Sequence, residues 1–288
     1  MSETGSGAKQ VSGAPAPARA GWIAELRGIA WMILAVLAVW SFVAKPFYIP
    51  SESMMPTLIK GDRLVVTKYP YGWSYASAAF HILPFMHGRL FGRLPERGDI
   101  VTPDRDGEDL IKRVIGLPGD RIAVQGGVIV LNGVPVKRIQ EAPALLPVDA
   151  NLPCETALER RFQTVGADGR LYCALPRFRE TLPNGVSYDV IDMGDFGATG
   201  FDDCPEIVVP PGHVFVMGDN RDESADSRVP REYNGLGGPI PVESIGGRAE
   251  FITHSYDGNG ALWNPISWFT ALRHGRAGTS LRPQRSGQ

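Results

Sequence analysis

The sequence is poor in the residues that usually build a metal site or a histidine-assisted active site. Its 288 residues include only five histidines and three cysteines, and no C-x-x-C pair is present. No histidine stands at a metal-binding spacing from another ligand, so neither a metal nor a cofactor is expected. Three cysteines allow at most one intrachain disulfide and leave one thiol, and the sequence does not select the pair. They are Cys154, Cys173 and Cys204.

A large excess of either charge is also absent. The formal net charge is −2, which gives no indication of a nucleic-acid partner. Apolar residues make up 43% of the chain, enough for a sizeable core, while 34 glycines and 24 prolines favour turns and short strands over long helices. The composition therefore favours a mainly β protein.

The 17 residues from 28 to 44 form a long run that is uncharged and almost wholly apolar. It lacks the polar stripe of a buried core helix. A cleaved signal peptide is the other alternative, but bulky Phe42 stands where an A-x-A cleavage site needs a small residue. Because the run is just long enough to cross a bilayer, we predict a transmembrane anchor over 28–44. The Gly-, Ala-, Ser- and Pro-rich residues 1–20 are predicted to be a disordered tail.

The charges around this run predict its orientation. Lys9, Arg19 and Arg27 precede it, and only Lys45 follows it closely. The positive-inside rule then places the N-terminus in the cytoplasm. We expect a single-pass protein whose remaining residues lie on the periplasmic or extracytoplasmic side.

Beyond Pro46 the chain has the pattern of short β-strands, with β-branched runs bounded by Gly, Pro, Asn or Asp. Strands are expected within 63–69, 99–103, 109–117, 121–136, 206–210, 213–219 and 249–255. The aromatic stretch 261–269 is too short to span a membrane, and either core packing or contact with a membrane surface would explain it.

Two changes in composition divide this part of the chain. Residues 72–96 are aromatic-rich and are predicted to be a flap or an extended hairpin, whereas 138–205 is polar and irregular and holds all three cysteines. We therefore predict a β core interrupted by a second subdomain. The predicted bounds are 46–119 and 206–275 for the core, 120–205 for the inserted subdomain, and 276–288 for a flexible C-terminal tail.

The segment "PSESMMPTL" (50–58) places two serines, Ser51 and Ser53, just after the apolar run. No histidine is near, and no G-x-S-x-G turn surrounds either serine. A nucleophilic serine needs a base, and lysine is the known alternative to histidine. Such a lysine must be neutral near pH 7, which desolvation in apolar surroundings achieves.

Lys112 fits this requirement because it lies in the apolar stretch "DLIKRVIGL". In a strand, alternation places Lys112 on one face and Arg113 on the other, so at most one of the two cations is expected to face the core. Periodicity does not choose between them. Lys60, Lys68 and Lys137 adjoin turn residues and are expected to be solvated.

A third cluster, "MGDNRDESADSR" (217–228), is dense in aspartate, arginine and serine. It does not fit the spacing of an EF-hand calcium loop. Alternating acids and arginines are typical of an ion-pair network that holds a loop, and Ser224 could orient a base by hydrogen bonding.

Together these stretches resemble bacterial type I signal peptidase, the membrane-bound Ser–Lys endopeptidase that removes signal peptides from exported proteins. The matching stretches are "PSESMMPTL", "RGDIV" (97–101), "IKRVIGLPGD" (111–120) and "GDNRDESADSR" (218–228). The resemblance covers about 28–255 and implies an antiparallel β-sheet catalytic core with an inserted β subdomain, anchored by one helix in the bacterial inner membrane. Some members of the family have two anchors, and no disulfide is implied for this chain.

The resemblance also implies roles, position by position. Ser53 would be the nucleophile and Lys112 the general base, while the Ser51 hydroxyl and the Ser53 N–H would form the oxyanion hole. Ser224 would orient Lys112. Structural support is expected from Asp219, Arg221, Asp226 and Arg228. Pockets for small side chains at substrate positions −1 and −3 are expected from Phe47, Ile49, Met54, Leu58 and Ile111.

The implied partners are the signal peptides of secretory preproteins and the lipid bilayer, near the translocation machinery, with no nucleic acid. A pilin- or conjugation-type peptidase of the same Ser–Lys clan remains an alternative that differs only in substrate. Self-cleaving SOS repressors would need a DNA-binding domain where this chain has an apolar run. The non-enzymatic alternative is a membrane-tethered β-domain that binds peptides, with Ser53 as a turn residue.

Overall fold

The computed structural model describes residues 21–78, 85–261 and 263–285, so the predicted tail over 1–20 lies outside the described residues. The chain divides into two compact units, Met1–Ala38 and Val39–Gln288. Most of helix α1, Gly21–Phe42, belongs to the first unit, and all the strands belong to the second.

Helix α1 carries only two charged residues, Glu25 and Arg27, both near its start. Its segment Trp22–Phe42 contains an 18-residue window with a mean hydropathy of 1.8 and no buried residue, and the segment is long and apolar enough to cross a membrane. A helix that is apolar on all sides suits lipid or a protein core rather than water. The bounds differ from the predicted 28–44, because the helix begins at Gly21 and the chain enters a strand at Ala44.

The second unit is built mainly from antiparallel strands, which confirms the predicted fold class. In chain order the strands are β1 Ala44–Tyr48, β2 Asp62–Thr67, β3 Ile100–Arg105, β4 Glu108–Asp109, β5 Lys112–Gly116, β6 Arg121–Gln125, β7 Val128–Leu131, β8 Val134–Pro135, β9 Lys137–Pro147, β10 Gln163–Val165, β11 Leu171–Thr181, β12 Ser187–Ile191, β13 Cys204–Val208, β14 His213–Met217, β15 Ile240–Pro241 and β16 Ile245–Ser255. The largest sheet has the order β1-β2-β16-β3-β5-β14-β15, with β4 paired to β3. It combines the chain before and after the predicted insertion.

The inserted part forms two further sheets. One has the order β13-β6-β7-β8, and β9 to β12 form the other. The expectation that 138–205 is irregular is wrong, since β9 and β11 are long regular strands. The strand predicted at 206–210 as part of the core is also reassigned. It lies in β13, where Ile207 pairs with Ile122 and Val208 pairs with Arg121.

Strand β5 is buried on both faces, so the expectation that at most one of Lys112 and Arg113 faces the interior is wrong. Alternate β5 side chains enter two apolar clusters: Ile115 packs with the inserted sheets and Val114 packs with the opposite cluster. Alternation separates inside from outside only when one face of a sheet meets water. Here it separates two interiors.

The predicted flexible tail over 276–288 is wrong for residues 276–285, and 286–288 lie outside the described residues. Leu281 is buried in the apolar cluster of the main sheet. Arg276 forms an ion pair with buried Asp62, and Arg282 forms one with Glu250 on β16. One apolar side chain and two arginines therefore fix this end of the chain against the core.

The segment predicted as a flap or extended hairpin, 72–96, is described except for residues 79–84. Trp73 and Leu90 exchange backbone hydrogen bonds of 3.0 and 2.8 Å. The Arg89 guanidinium donates to the carbonyl oxygen of Val242 at 2.7 Å. These contacts join the base of the segment to the main domain.

The aromatic stretch 261–269 overlaps the short helix α2, Pro265–Thr270. Trp263 is 88% exposed and Phe269 is 73% exposed. The core-packing alternative for these two side chains is therefore wrong.

Lys68 was expected in solvent, but its side chain is fully buried. Its Nζ has no hydrogen-bond partner among the described residues. Burial, together with the nearby charge of Lys45, lowers the pKa of Lys68 to about 7. Turn residues beside a lysine in the sequence thus did not indicate where its side chain points.

Candidate active site

Ser53 lies in a compact turn between β1 and β2. The N–H of Met55 donates to the Glu52 carbonyl at 3.0 Å, and the N–H of Leu58 donates to the Met54 carbonyl at 2.9 Å. Ser53 is nearly buried, whereas Ser51 is exposed. The two hydroxyl oxygens are 3.4 Å apart. The turn therefore presents both predicted hydroxyls at one place, one at the surface and one just below it.

Lys112 reaches this turn from the start of β5. Its Nζ donates a 2.9 Å hydrogen bond to Ser53 Oγ, and its side chain is buried. Burial lowers the pKa of Lys112 to about 8, and the carboxylate of Asp226 offsets part of that effect. A substantial fraction of this lysine is then neutral near pH 8, beside a hydroxyl that needs a base.

Asp219 connects the serine turn to β5. Its carboxylate accepts hydrogen bonds from Arg113 Nε at 2.7 Å, Arg113 Nη2 at 2.6 Å and Thr57 Oγ1 at 2.6 Å. Arg113 is the residue after Lys112, and Thr57 is on the Ser53 turn. The same carboxylate therefore contacts both segments that carry the predicted dyad.

Asn220 holds the Ser53 turn through its backbone and its side chain. Its N–H donates to the Ser53 carbonyl at 3.1 Å, and its Nδ2 donates to the Glu52 carbonyl at 3.3 Å. Gly218, two residues before Asn220, lies against the same turn. A β-carbon on Gly218 would lie 2.4 Å from the Ser53 carbonyl oxygen and 2.2 Å from Ser224 Oγ. Only glycine allows the two loops to approach this closely.

The other predicted support residues form two more buried ion pairs. Arg228 donates to both oxygens of Asp226 at 3.0 Å, and the Gly218 N–H donates to Asp226 at 2.9 Å. Arg221 Nη2 donates to Glu180 at 2.5 Å. The acidic loop is thus held by charges inside it and by one carboxylate from the inserted subdomain.

The predicted hydrogen bond between Ser224 and Lys112 is not formed. Ser224 Oγ is buried and has no hydrogen-bond partner in the part of the chain that the structure describes. Its hydroxyl instead lies close to Gly218, 2.2 Å from where a β-carbon on that residue would stand. Lys112 is oriented in this structure through Ser53 and the packing of β5.

The residues expected to line the substrate pockets pack together in the apolar cluster of the main sheet. They are Phe47, Ile49, Met54, Leu58 and Ile111. Phe47 is partly accessible, and the other four side chains are buried. In this state of the protein they form a floor beside the serine turn rather than open pocket walls.

Glu52, immediately before Ser53, is a titrating group that sequence reasoning missed. Burial, then the neighbouring carboxyls of Glu159 and Glu223, raise the pKa of Glu52 to about 7. Glu159 comes from the inserted subdomain, five residues beyond Cys154.

Cys154 and Cys173 form the disulfide, and Cys204 is free.

Thr57, Arg113, Gly218, Asn220 and Glu180 also contribute to the site and were not predicted. The first four lie inside or beside the motifs, where a glycine between strand and loop and a cation beside the lysine were available signals. Glu180 lies in a polar stretch without any distinguishing pattern.

Within the described residues, no group of three or more His, Cys, Asp or Glu side chains is placed to hold a metal ion.

The chain is similar to known proteins over most of its length. The family model described as signal peptidase, peptidase S26, matches residues 22–254. A signal peptidase I of Rickettsia typhi is 34% identical over 244 residues, which cover 80% of this chain and 80% of the relative. A signal peptidase I of Rickettsia bellii (strain OSU 85-389) is 31% identical over 239 residues, covering 80% and 73%. A crystal structure of a signal peptidase I from Enterococcus faecalis aligns with 54% of this chain and 97% of its own, at 23% identity and a TM-score of 0.27.

Proposed function

The chain belongs to the signal peptidase family, peptidase S26, and from this membership we propose that it cleaves N-terminal signal peptides from exported preproteins with a Ser53–Lys112 dyad. Membership makes the protein a serine endopeptidase. The observation that carries the dyad is the 2.9 Å contact between Lys112 Nζ and Ser53 Oγ in a buried setting.

In the proposed acylation step, neutral Lys112 accepts the proton of Ser53 Oγ as this oxygen attacks the scissile carbonyl carbon. The C–N bond breaks, the leaving amine takes the proton from Lys112, and the signal peptide remains as an ester on Ser53. A water molecule then gives a proton to Lys112 and attacks the ester carbon. The ester C–O bond breaks, Lys112 returns the proton to Ser53 Oγ, and the signal peptide is released as a carboxylic acid. The lysine ends each half-reaction neutral.

The negative charge on the carbonyl oxygen needs donors in both steps. We assign this role to the Ser51 hydroxyl and the Ser53 backbone N–H. The 3.4 Å separation of the two hydroxyl oxygens supports this assignment, because a carbonyl attacked by Ser53 would lie within reach of Ser51. One such donor typically contributes about 100- to 1000-fold to the rate.

The proposed specificity is for small residues at positions −1 and −3. Its support is the apolar cluster beside the serine turn, which includes Ile49, Met54 and Ile111. Because these side chains are already well packed, the space left for a substrate side chain is small. Alanine or glycine would fit with little rearrangement, and a bulky residue would not.

We further propose that α1 anchors the protein in the bacterial inner membrane with a cytoplasmic N-terminus. The apolar helix and the basic residues before it, Lys9, Arg19 and Arg27, support this topology. The catalytic domain would then meet signal peptides where they emerge from the translocation machinery. In right-side-out membrane vesicles, added protease should digest the domain beyond Pro46 and spare an N-terminal tag, and the reverse pattern would contradict the orientation.

The dyad is tested by preprotein cleavage with the purified full chain in detergent. Ser53→Ala and Lys112→Met should each lose at least about 10⁴-fold in kcat/KM. Lys112→Arg should be equally inactive, because arginine stays charged. Cleavage near the wild-type rate by any of these variants would overturn the dyad.

Lys68→Met is the matched control. Lys68 is also buried, and its pKa is also lowered into the neutral range, but its Nζ makes no hydrogen bond to any residue that the structure describes. The variant should keep wild-type cleavage. If Lys68→Met were as inactive as Lys112→Met, loss of activity would not identify the base, and the assignment to Lys112 would lose its support.

A further inference from the structure

The inserted subdomain contacts the acidic loop 218–228 along the edge of β12. The Ile191 N–H donates to the Asp219 carbonyl at 2.9 Å, and the Arg221 N–H donates to the Ile191 carbonyl at 2.9 Å. The Met193 N–H donates to the Asp222 carboxylate at 2.5 Å. The acidic loop, which holds the Ser53 carbonyl through Asn220, is thus hydrogen-bonded to the β12 edge of the inserted subdomain.

Glu180 adds a buried charge to this contact. It lies on β11, and its Oε2 accepts hydrogen bonds from Arg221 Nη2 at 2.5 Å and from the Tyr188 hydroxyl at 2.9 Å. Glu180 and Arg221 are both buried. Arg221 Nε also donates to the Gly218 carbonyl at 3.1 Å. This guanidinium therefore joins Glu180 to Gly218, the residue that lies against the Ser53 carbonyl.

Tyr188 connects the same carboxylate to the strand that carries Lys112. It lies on β12 opposite Glu180, and the guanidinium carbon of Arg113 stands 4.3 Å from the centre of its ring. A cation over an aromatic face is attracted by the ring. Burial, and then the charge of Glu180, raise the pKa of Tyr188 well above its usual value, so its hydroxyl remains a donor.

We propose that Glu180 and Tyr188 of the inserted subdomain are positioning residues for peptide cleavage, acting through Arg221 and Arg113 on the alignment of Ser53 with Lys112. This inference rests on the proposed dyad. Two buried arginines, Arg113 and Arg221, are balanced by two carboxylates, Asp219 and Glu180. One carboxylate of the four-charge set therefore comes from a subdomain that holds no proposed catalytic residue.

The physical reason is that a buried guanidinium without its carboxylate must move or take up water. If Arg221 moves, Gly218 and Asn220 move with it, and Asn220 holds the Ser53 carbonyl. A displacement of a fraction of an ångström at a reacting oxygen is enough to lower a rate by about tenfold. Substrate binding to the apolar cluster depends on other residues and should change little.

The test compares Glu180→Gln, Tyr188→Phe and Asp189→Asn in preprotein cleavage by the full chain in detergent. Asp189 is the matched control, because it lies beside Tyr188 on β12 and pairs with Arg177 and Arg179 of β11 rather than with the acidic loop. Glu180→Gln and Tyr188→Phe should lower kcat about tenfold or more at unchanged KM. Asp189→Asn should cleave like the wild type.

The pH profile separates this role from a general loss of stability. Charged groups that already bear on Lys112 are Asp226, Arg105, Asp219 and Arg228. Glu180→Gln makes the buried set more positive by one charge, which disfavours protonated Lys112. The increase of kcat/KM with pH should therefore occur at lower pH in Glu180→Gln than in the wild type. In Tyr188→Phe, which changes no charge, it should occur at the same pH as in the wild type.

Wild-type kcat in both Glu180→Gln and Tyr188→Phe would overturn the inference while leaving the dyad intact. An equal loss of kcat in Asp189→Asn would also overturn it, because the effect would then belong to the insertion's stability. If Glu180→Gln does not fold, Tyr188→Phe decides by the same kcat comparison. Activity in Ser53→Ala, measured in parallel, would instead overturn the proposed function.

Discussion

Arg113 and Asp219 form a two-point ion pair in the interior of the protein, with nitrogen–oxygen distances of 2.7 and 2.6 Å. Both side chains are almost completely buried. Arg113 follows Lys112 on β5, and Asp219 begins the loop that holds the Ser53 carbonyl. The pair therefore joins the two segments on which the proposed chemistry depends.

Removing one partner of this pair should destabilise the protein strongly. Asp219→Asn leaves Arg113 buried without its counter-charge, which costs about 3–5 kcal/mol of unfolding free energy. At about 2–4 °C per kcal/mol for a domain of this size, the thermal midpoint should fall by roughly 10 °C. Glu206→Gln is the control, since Glu206 pairs with Arg121 at the surface and should change the midpoint little. Equal midpoints for the two variants would contradict the structural role of Asp219.

Activity should rise with pH through the titration of Lys112. Burial lowers the pKa of Lys112 to about 8, and only the neutral amine accepts a proton from Ser53. Activity is therefore low below pH 8, where the lysine is protonated, and kcat/KM should increase through about pH 8 and level above it. A profile that is flat from pH 6 to 10 would contradict the neutral-lysine mechanism.

Ser51→Ala should reduce activity without reducing stability. The side chain is exposed, so its loss leaves packing unchanged. Loss of one oxyanion donor should lower kcat by about 100-fold or more. Ser51→Thr keeps the hydroxyl and should retain most of the activity. A change of less than about threefold in Ser51→Ala, well short of the effect of one donor, would remove Ser51 from the oxyanion hole.

Gly218→Ala should impair cleavage because the new methyl group has no space. It would meet the Ser53 carbonyl oxygen at 2.4 Å and Ser224 Oγ at 2.2 Å, so the serine turn must shift. We expect a loss of at least about tenfold in kcat. Gly260→Ala is the matched control, because its nearest neighbour would lie at 3.7 Å, an ordinary contact. Wild-type kcat in Gly218→Ala would show that the close approach of Gly218 to the Ser53 carbonyl is not needed to align Ser53 with Lys112.

The disulfide should stabilise the serine turn as well as the insertion. Cys154 and Cys173 pack in one apolar cluster with Met55 and Ile59, which flank the turn's centre. Their separation of 19 residues predicts a loss of about 3 kcal/mol in unfolding free energy when both are changed to serine. Cys204→Ser, which removes the free thiol, should leave the thermal midpoint unchanged. A midpoint that is equally unaffected in the double variant would show that the bridge does not contribute.

Local pattern was sufficient for the strands that meet water on one face and for the apolar helix. It failed at β5, where Lys112 and Arg113 are both inside because each face of the sheet is covered. It failed again at Lys68, whose neighbours in the sequence are polar and turn-like but whose side chain enters the interior. In both cases the deciding factor was which other elements cover the residue.

By itself the sequence determined the mainly β fold and the apolar helix, because these depend on composition and on residues close in the chain. It also predicted the serine turn and a lysine base. Family resemblance was needed to prefer Ser53 over Ser51. The tertiary structure decided what lies beside what: Lys112 against Ser53 at 2.9 Å, Cys154 with Cys173 rather than Cys204, and Glu180 against Arg221. Such contacts join segments far apart in the chain, and their geometry exists only after the sheets have packed and closed water out of the site.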